Sequence, residues 1–287
     1  MALGFDFGGT KCAIALGSSD GAVVDEAAIK TAAYATADAL VDAALLRGHA
    51  LLRGREAAAV GVATMGITRE EGVDLAPNVA GWSRLHLPAA LRAHFPGVPV
   101  RVENDVKAAH RAEIRWGALR GSGPSAYLNL GTGVALSLAL DGRIVDGAHG
   151  AFGEMAYAWR PDEPGYGVGR APLEERLGGG ALDRELSRRF HVASLSEAFS
   201  LRVERADIAG FLNERLAEIG WWVGQALLLL DVEVLCVGGG IARHLQVFGP
   251  SWEGQWGGRL PFPPELTRAR FAERAGVMGA LTLAWEA

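Results

Sequence analysis

The sequence predicts an α/β fold built as two halves of similar design, and three observations carry that expectation. Two apolar strands joined by a small-residue turn occur near the start, as DFGGTKCAIALG (6–17), and again as NLGTGVALSLAL (129–140). Each pair is followed by helical periodicity and a further buried strand, AAVGVATMG (58–66) in the first half and VEVLCVGGG (232–240) in the second. Glycine, at 39 of 287 residues, is roughly twice its usual ~7 % share. The glycines cluster at strand ends, where tight turns or close backbone approach to a ligand need them.

The elements follow in order. Residues 2–7 and 11–16 read as strands around the turn Gly8-Gly9-Thr10, and GSSDG turns the chain into a third strand near 22–29. A helix over about 36–53 is set by Val41, Leu45 and Leu52, with Leu40, Ala44 and Leu51 beside them. Pro88 opens a short helix near 88–95. VPVRVEN (98–104) is a strand, and Asn104 and Asp105 are N-cap candidates for a helix over 106–116. SAYLNLGTGVALSLALDGRIV reads as strand, glycine turn, strand and further hairpin. Ile208, Phe211, Leu212, Leu216, Ile219, Val223, Leu227 and Leu230 mark one face of a long helix, and AGVMGALTLAWEA a final one.

Composition excludes several classes. A net charge of −5 argues against a nucleic-acid or polybasic membrane surface. The longest uncharged apolar stretch, IGWWVGQALLLL, is 12 residues, short of the ~20 that span a bilayer. The N-terminus has no basic region of a secretory signal. Cys12 and Cys236 each lie inside an apolar run, so buried free thiols in a reducing cytoplasm are expected, with no disulfide framework.

The glycine turns carry the chemistry. DFGGT and LGTGV each end a strand and free backbone N–H groups to face an anion, and Asp6 stands where a carboxylate could hold Mg2+. VGGGI (237–241) leaves bare backbone for a base or ribose. One such turn is an ordinary turn, but three at strand ends point to a nucleotide. No GxxxxGK[ST] and no complete GxGxxG occur, and the DFG at 6–8 stands ahead of any kinase catalytic loop.

Taken in order, DFGGTK (6–11), APNVAGW (76–82), VENDVKAAHRAE (102–113), GTGVALSLALDGRIVDGAHGAFGEM (131–155), LEERLGGGAL (173–182) and VGGGI make the chain resemble the ROK family of sugar kinases, within the actin/hexokinase/Hsp70 superfamily. The resemblance implies two actin-like, ribonuclease H-like α/β domains flanking a nucleotide and sugar cleft. Residues 1–107 would form the small domain, with the helix at about 271–287 returning to it, and 108–270 the large one. It implies Asp105 as the general base, and Gly66, Asn78, Asn104, Asp105, Glu154, Tyr157 and Glu174 at the sugar. Asp6, Gly8, Gly9, Thr10, Lys11, Gly131, Thr132, Gly133, Gly238, Gly239 and Gly240 would bind ATP, with Asp6 holding Mg2+ through water. The resemblance also implies its partners: a small sugar and a nucleotide, in a cytoplasmic homodimer, with no nucleic acid and no membrane.

Read alone, Asp105 serves equally as a helix cap, Glu154 as a solvated loop acid and Lys11 as a strand-end surface charge. Trp221-Trp222 reads as core packing, and His110 and His149 as surface or loop residues. The chain also departs from the family. Where GE-x-GH and a cysteine segment usually hold zinc, GEMAY puts Ala156 and Tyr157, and no cysteine follows in PGYGVGRAP. No zinc is expected, so the loop would be fixed by Tyr157, Trp159 and Tyr166 or order with the sugar. Ala135 replaces a phosphate-loop glycine, which is tolerable only at negative φ. The leading expectation is ATP-dependent phosphorylation of a hexose, at the 6-hydroxyl of glucose or a relative. The alternatives are a non-catalytic sugar-binding regulator on the same scaffold, or a kinase using polyphosphate. The absence of a helix-turn-helix ahead of DFGGTK points away from the family's DNA-binding repressors.

Overall fold

The computed structural model describes residues 1–69, 72–75, 81–162 and 169–287. They divide into two compact units, Met1–Gly117 with Arg274–Ala287, and Ala118–Glu273.

In the first unit β1 (Ala2–Phe7), β2 (Lys11–Gly17) and β3 (Val23–Lys30) form an antiparallel meander. α1 (Ala37–Leu52) follows, its first turn capped by the Thr36 side chain, which accepts from the Ala39 N–H. β4 (Ala59–Thr64) then pairs parallel to β1. A ribbon of β5 (Ile67–Arg69) and β6 (Gly72–Asp74), which the sequence reading did not foresee, and α2 (Leu87–His94) lead to β7 (Val100–Asn104), parallel to β4. The sheet order is β3-β2-β1-β4-β7. α3 (Asp105–Trp116) leaves the end of β7.

The second unit repeats this order as β10-β9-β8-β11-β12. Its strands are β8 (Ser125–Leu130), β9 (Val134–Leu140), β10 (Arg143–Ile144), β11 (Val234–Gly238) and β12 (Glu265–Arg268). β8, β9 and β10 are antiparallel, and β8, β11 and β12 parallel. Between β10 and β11 lie α4 (Pro172–Leu177), α5 (Gly179–Phe190), α6 (Leu195–Leu201) and α7 (Ala206–Leu230). α8 (Leu245–Trp256) follows β11. The apolar face read for α7 is buried from Ile208 to Leu227. Gly220 and Gly224 on α7 leave room for the Trp252 and Trp256 indoles of α8, which donate to the Leu216 and Gly220 carbonyls at 2.7 and 2.9 Å. Trp221 is not core packing: it is 48 % exposed, with Trp222 edge-on to it.

α9 (Ala275–Trp285) returns to the first unit. It is apolar all round and buried from Val277 to Ala284, as a helix enclosed by protein must be. It lies across the sheet where Gly4 and Gly61 stand. A Cβ on Gly4 would come 2.9 Å from the Leu281 nitrogen, and one on Gly61 would overlap the α9 backbone.

Candidate active site

In the first unit the candidate residues gather where parallel strands end, the usual place for a ligand in an α/β sheet. Asp6 is next to last in β1, Gly66 lies two residues past β4, and Asp105 directly follows β7. The side chain that caps α3 is Asn104, whose Oδ1 accepts from the Val106 and Lys107 N–H groups at 3.0 and 3.3 Å. Its Nδ2 donates to the Gly66 carbonyl at 3.2 Å, tying the left-handed Gly66 (φ +79°) to the same helix end. Both acceptor positions of Asn104 and one of its two donors are therefore engaged within the protein. Asp105 is the first residue of α3, and its Oδ1 accepts from the Val106 N–H at 2.9 Å.

Asp6 is closely surrounded by protein. Burial first, and the Asp105 charge second, push its carboxyl up to about 7, against the pull of Lys11. Lys11 is exposed at the start of β2. The turn between β1 and β2 is pinned beneath: Gly8 N–H donates to the Lys11 carbonyl, and the Thr31 hydroxyl to the Gly8 carbonyl at 2.8 Å. Gly9 and Thr10 at its tip are exposed. His110, read from sequence as a surface residue, is instead fully buried on α3, and burial lowers its pKa to about 3. The small residues flanking it, Ala108, Ala109 and Ala112, draw the whole face into the core. His149 is exposed.

In the second unit the turn Gly131-Thr132-Gly133 links β8 and β9, and the glycines Gly238–Gly240 end β11 beside it. Gly239 (φ +81°) lies against the Leu130–Gly131 backbone, so closely that a Cβ would overlap it. The Gly179 and Gly180 N–H groups of α5 donate to the Gly131 and Thr132 carbonyls at 3.0 and 3.1 Å. A cavity of about 460 Å3 opens here, lined by Gly131, Thr132, Gly179, Gly180 and Gly240. Its remaining wall was not foreseen: Asp183, Ser194, Ser196, Phe199, Arg243 and His244. Phe199 and His244 stack at 3.8 Å and 10°, and burial holds the His244 pKa low. Their helical spacing carries no ligand signature, so only the fold brings them together. Ala135 pairs with Asn129 inside regular β9 and is not among the positive-φ residues, so its Cβ is accommodated.

The residues assigned to a sugar converge in this unit as well. Gly153 (φ +88°) lies against the Leu136 backbone, and its carbonyl accepts from the Leu136 N–H at 2.9 Å, which fixes Glu154 beside β9. A single 3-10 turn, Met155–Tyr157, follows. The Tyr157 hydroxyl is raised in pKa by burial and by the Glu154 and Glu174 carboxylates, which puts all three within one electrostatic neighbourhood. Glu174 on α4 accepts from the Val134 N–H at 3.2 Å, and burial outweighs that bond and raises its pKa. Gly133 is a glycine because the Glu174 carboxylate occupies the space of a Cβ there. Glu174 thus touches the turn Gly131–Gly133. Asn78 and Tyr166 lie outside the described residues, and Trp159 is 63 % exposed.

Two sheets of one order, with glycine turns and carboxylates at their strand ends, define an actin-like α/β phosphotransferase of the sugar-kinase class. Residues 2–287 match the model of the ROK family. Glucokinase of Streptomyces coelicolor is 26 % identical over 315 aligned residues, spanning 100 % of this chain and 98 % of that one. The ROK hexokinase of Thermus thermophilus has a TM-score of 0.84 at 26 % identity, over 99 % of this chain and 98 % of that one. A ROK family glucokinase from Streptomyces griseus, in complex with glucose and AMPPNP, has a TM-score of 0.82 at 24 % identity, over 100 % and 99 %. The chain belongs to the ROK family. No helix among the described residues is long and apolar enough to cross a membrane.

Proposed function

We propose that the chain transfers the γ-phosphate of ATP to a hexose hydroxyl, the 6-hydroxyl of glucose or a close relative, with Asp105 as general base. The observation that carries this reading is the pair Asp6 and Asp105 at the ends of parallel strands. Burial first and the charge of Asp105 second raise the Asp6 pKa, and Asp105 opens α3 directly after β7. The Asp6 carboxyl, raised to about 7, is a group whose charged form a nearby cation would stabilise.

Mg2+ fits this pair, because an oxygen donor with uncompensated buried charge suits a hard cation. Asp6 would hold it, through water; when bound, the ion neutralises charge on the phosphates. A nucleotide fits the second unit, where bare backbone at Gly131–Gly133 suits phosphates and Gly238–Gly240 beside the cavity suits adenosine. Gly8, Gly9, Thr10 and Lys11 would hold phosphate in the first unit. The S. griseus relative, solved with glucose and AMPPNP, supports the same two ligand classes here.

Asp105 takes the proton from the attacking hydroxyl, a contribution of about 10²–10⁴ in rate. Glu154, Tyr157 and Glu174 hold sugar hydroxyls, Gly66 and Asn78 are assigned to the sugar as well, and Asn104 fixes Asp105. The raised pKa of Glu174 suits a partner that both donates and accepts. A cytoplasmic homodimer belongs to the same reading. The test is a coupled assay over a sugar panel with ATP, GTP and polyphosphate. Turnover with ATP and a hexose is expected, and Asp105→Ala should remove nearly all of it while sparing sugar binding. No turnover with any pair would sink the enzymatic reading.

A further inference from the structure

The described stretches Glu154–Asp162 and Gly169–Glu174 carry three of the candidate sugar residues, and neither contains a cysteine. Trp159 in this stretch is 63 % exposed. Glu218, on α7, stands opposite three guanidinium groups. Arg176 of α4 approaches its Oε1 to 2.9 Å, Arg160 of the loop after the 3-10 turn approaches the same oxygen to 3.6 Å, and Arg215 reaches its Oε2 at 3.9 Å.

The Glu218 and Arg176 side chains are each only 19 % exposed, so solvent screens this pair weakly. Glu218 Oε1 makes no well-aligned hydrogen bond, so the attraction there is one of charge rather than of directed donors. Arg215 also bonds Glu185 of α5 at 3.1 Å, and Arg160 also lies 3.8 Å from Asp162, while Glu218 is the acid that Arg160 and Arg176 share.

The consequence reaches the carboxylates. Arg176 is two residues from Glu174, on a six-residue helix whose Pro172, Leu173 and Leu177 are buried. Arg160 is three residues from Tyr157. α7 is a rigid support, with its inner face buried along most of its length. We infer that Glu218 is a positioning residue: through Arg176 and Arg160 it anchors both ends of the Tyr157–Glu174 segment to α7 and so sets where those side chains stand. The inference rests on the sugar-site reading of Glu154, Tyr157 and Glu174 for its functional half, and on the ion pairs alone for its structural half.

The test compares Glu218→Gln and the milder Arg160→Ala with the unaltered full-length protein. Hydrogen exchange should accelerate at residues 155–162 and 171–177 in both variants, while the buried amides of α7 and of both sheets keep their protection. In kinase assays the sugar KM should rise about tenfold for Glu218→Gln, the scale of a small misplacement of a binding group, with kcat and the ATP KM moving much less. Arg160→Ala should show the same pattern at smaller amplitude. Unchanged exchange at 155–162 and 171–177 overturns the anchor, and so does exchange that rises uniformly through the second unit, which would mean general destabilisation. Altered exchange with an unmoved sugar KM overturns the positioning role. If the unaltered protein phosphorylates no sugar, the exchange pattern still decides the anchor, and the sugar reading falls by itself.

Discussion

Two buried ionisable groups in the first unit should make its stability nearly independent of pH, and substituting either should expose the other. His110 is neutral in the fold, with a pKa of about 3 against an ordinary value of 6.5. The unfolded chain therefore binds more protons than the native one between those values, so stability is full above pH 6.5 and falls with acid. From pH 7.5 to 4.5 the loss works out to about 3 kcal/mol. Asp6 acts in the opposite sense. Its pKa of about 7 lies above the ordinary 3.8, so the native state holds the extra proton and stability rises as pH falls through 7. Over the same interval the gain is again about 3 kcal/mol. Urea unfolding in EDTA at pH 7.5, 6 and 4.5 checks this. His110→Gln should gain stability in acid by about 3 kcal/mol, Asp6→Asn should lose about as much, and the unaltered protein should lie between. Absolute stabilities of the variants do not enter, because each is compared with itself across pH. A slope for His110→Gln that matches the unaltered protein within about 0.5 kcal/mol would falsify the claim that His110 is buried neutral.

Other outcomes follow from single contacts. Gly133→Ala places a methyl where the Glu174 carboxylate lies, so kcat/KM should fall about tenfold or more while Tm moves little, and an unaffected enzyme would break the contact argument. Gly61→Ala drives a methyl into the α9 backbone and should cost about 3 kcal/mol in urea titrations. Asp105→Asn keeps the cap made by Asn104 and should retain stability while losing turnover; thermal melts beside rate assays separate the two. Elemental analysis of purified protein should find less than stoichiometric zinc, and a full equivalent would overturn the loop argument.

Much of the fold was legible because its strands are apolar runs bounded by glycine, and its helices show their period. β1, β2, β4, β7, β8, β9, β11, α1, α3 and α7 all fall where the residues put them. The β5–β6 ribbon and α4, α5, α6 and α8 were not read. Their segments are short or rich in glycine and arginine, and α8 carries Pro250 inside a helix, which argues locally against one. Of the sites, the glycine turns were visible because turn chemistry is local. The Phe199–His244 wall and the charges around Glu218 were not, because pairings between elements leave no trace in spacing. Likewise His110 looked exposed because histidine near Lys107 and Arg111 reads as polar; the alanines that bury that face were the overlooked signal.

Asn104 shows how such hidden duties bear on reading a mutation. Its side chain caps α3 through two N–H groups and holds the Gly66 carbonyl, so removing it frees the start of the helix and the neighbouring loop together. Loss of such a cap typically costs about 1 kcal/mol. Asp105 is the next residue, so an Asn104→Ala variant shifts the Asp105 carboxylate whether or not Asn104 ever meets a sugar. A sugar contact made by the remaining Nδ2 proton would show as a raised KM beyond the fall in kcat. Asn104→Asp distinguishes the two: it can still cap the helix but has no N–H to give Gly66 or a hydroxyl. If Asn104→Asp keeps kcat and raises only the sugar KM, the amide donor serves the substrate. If both change as in Asn104→Ala, its work is to hold Asp105 and Gly66 in place.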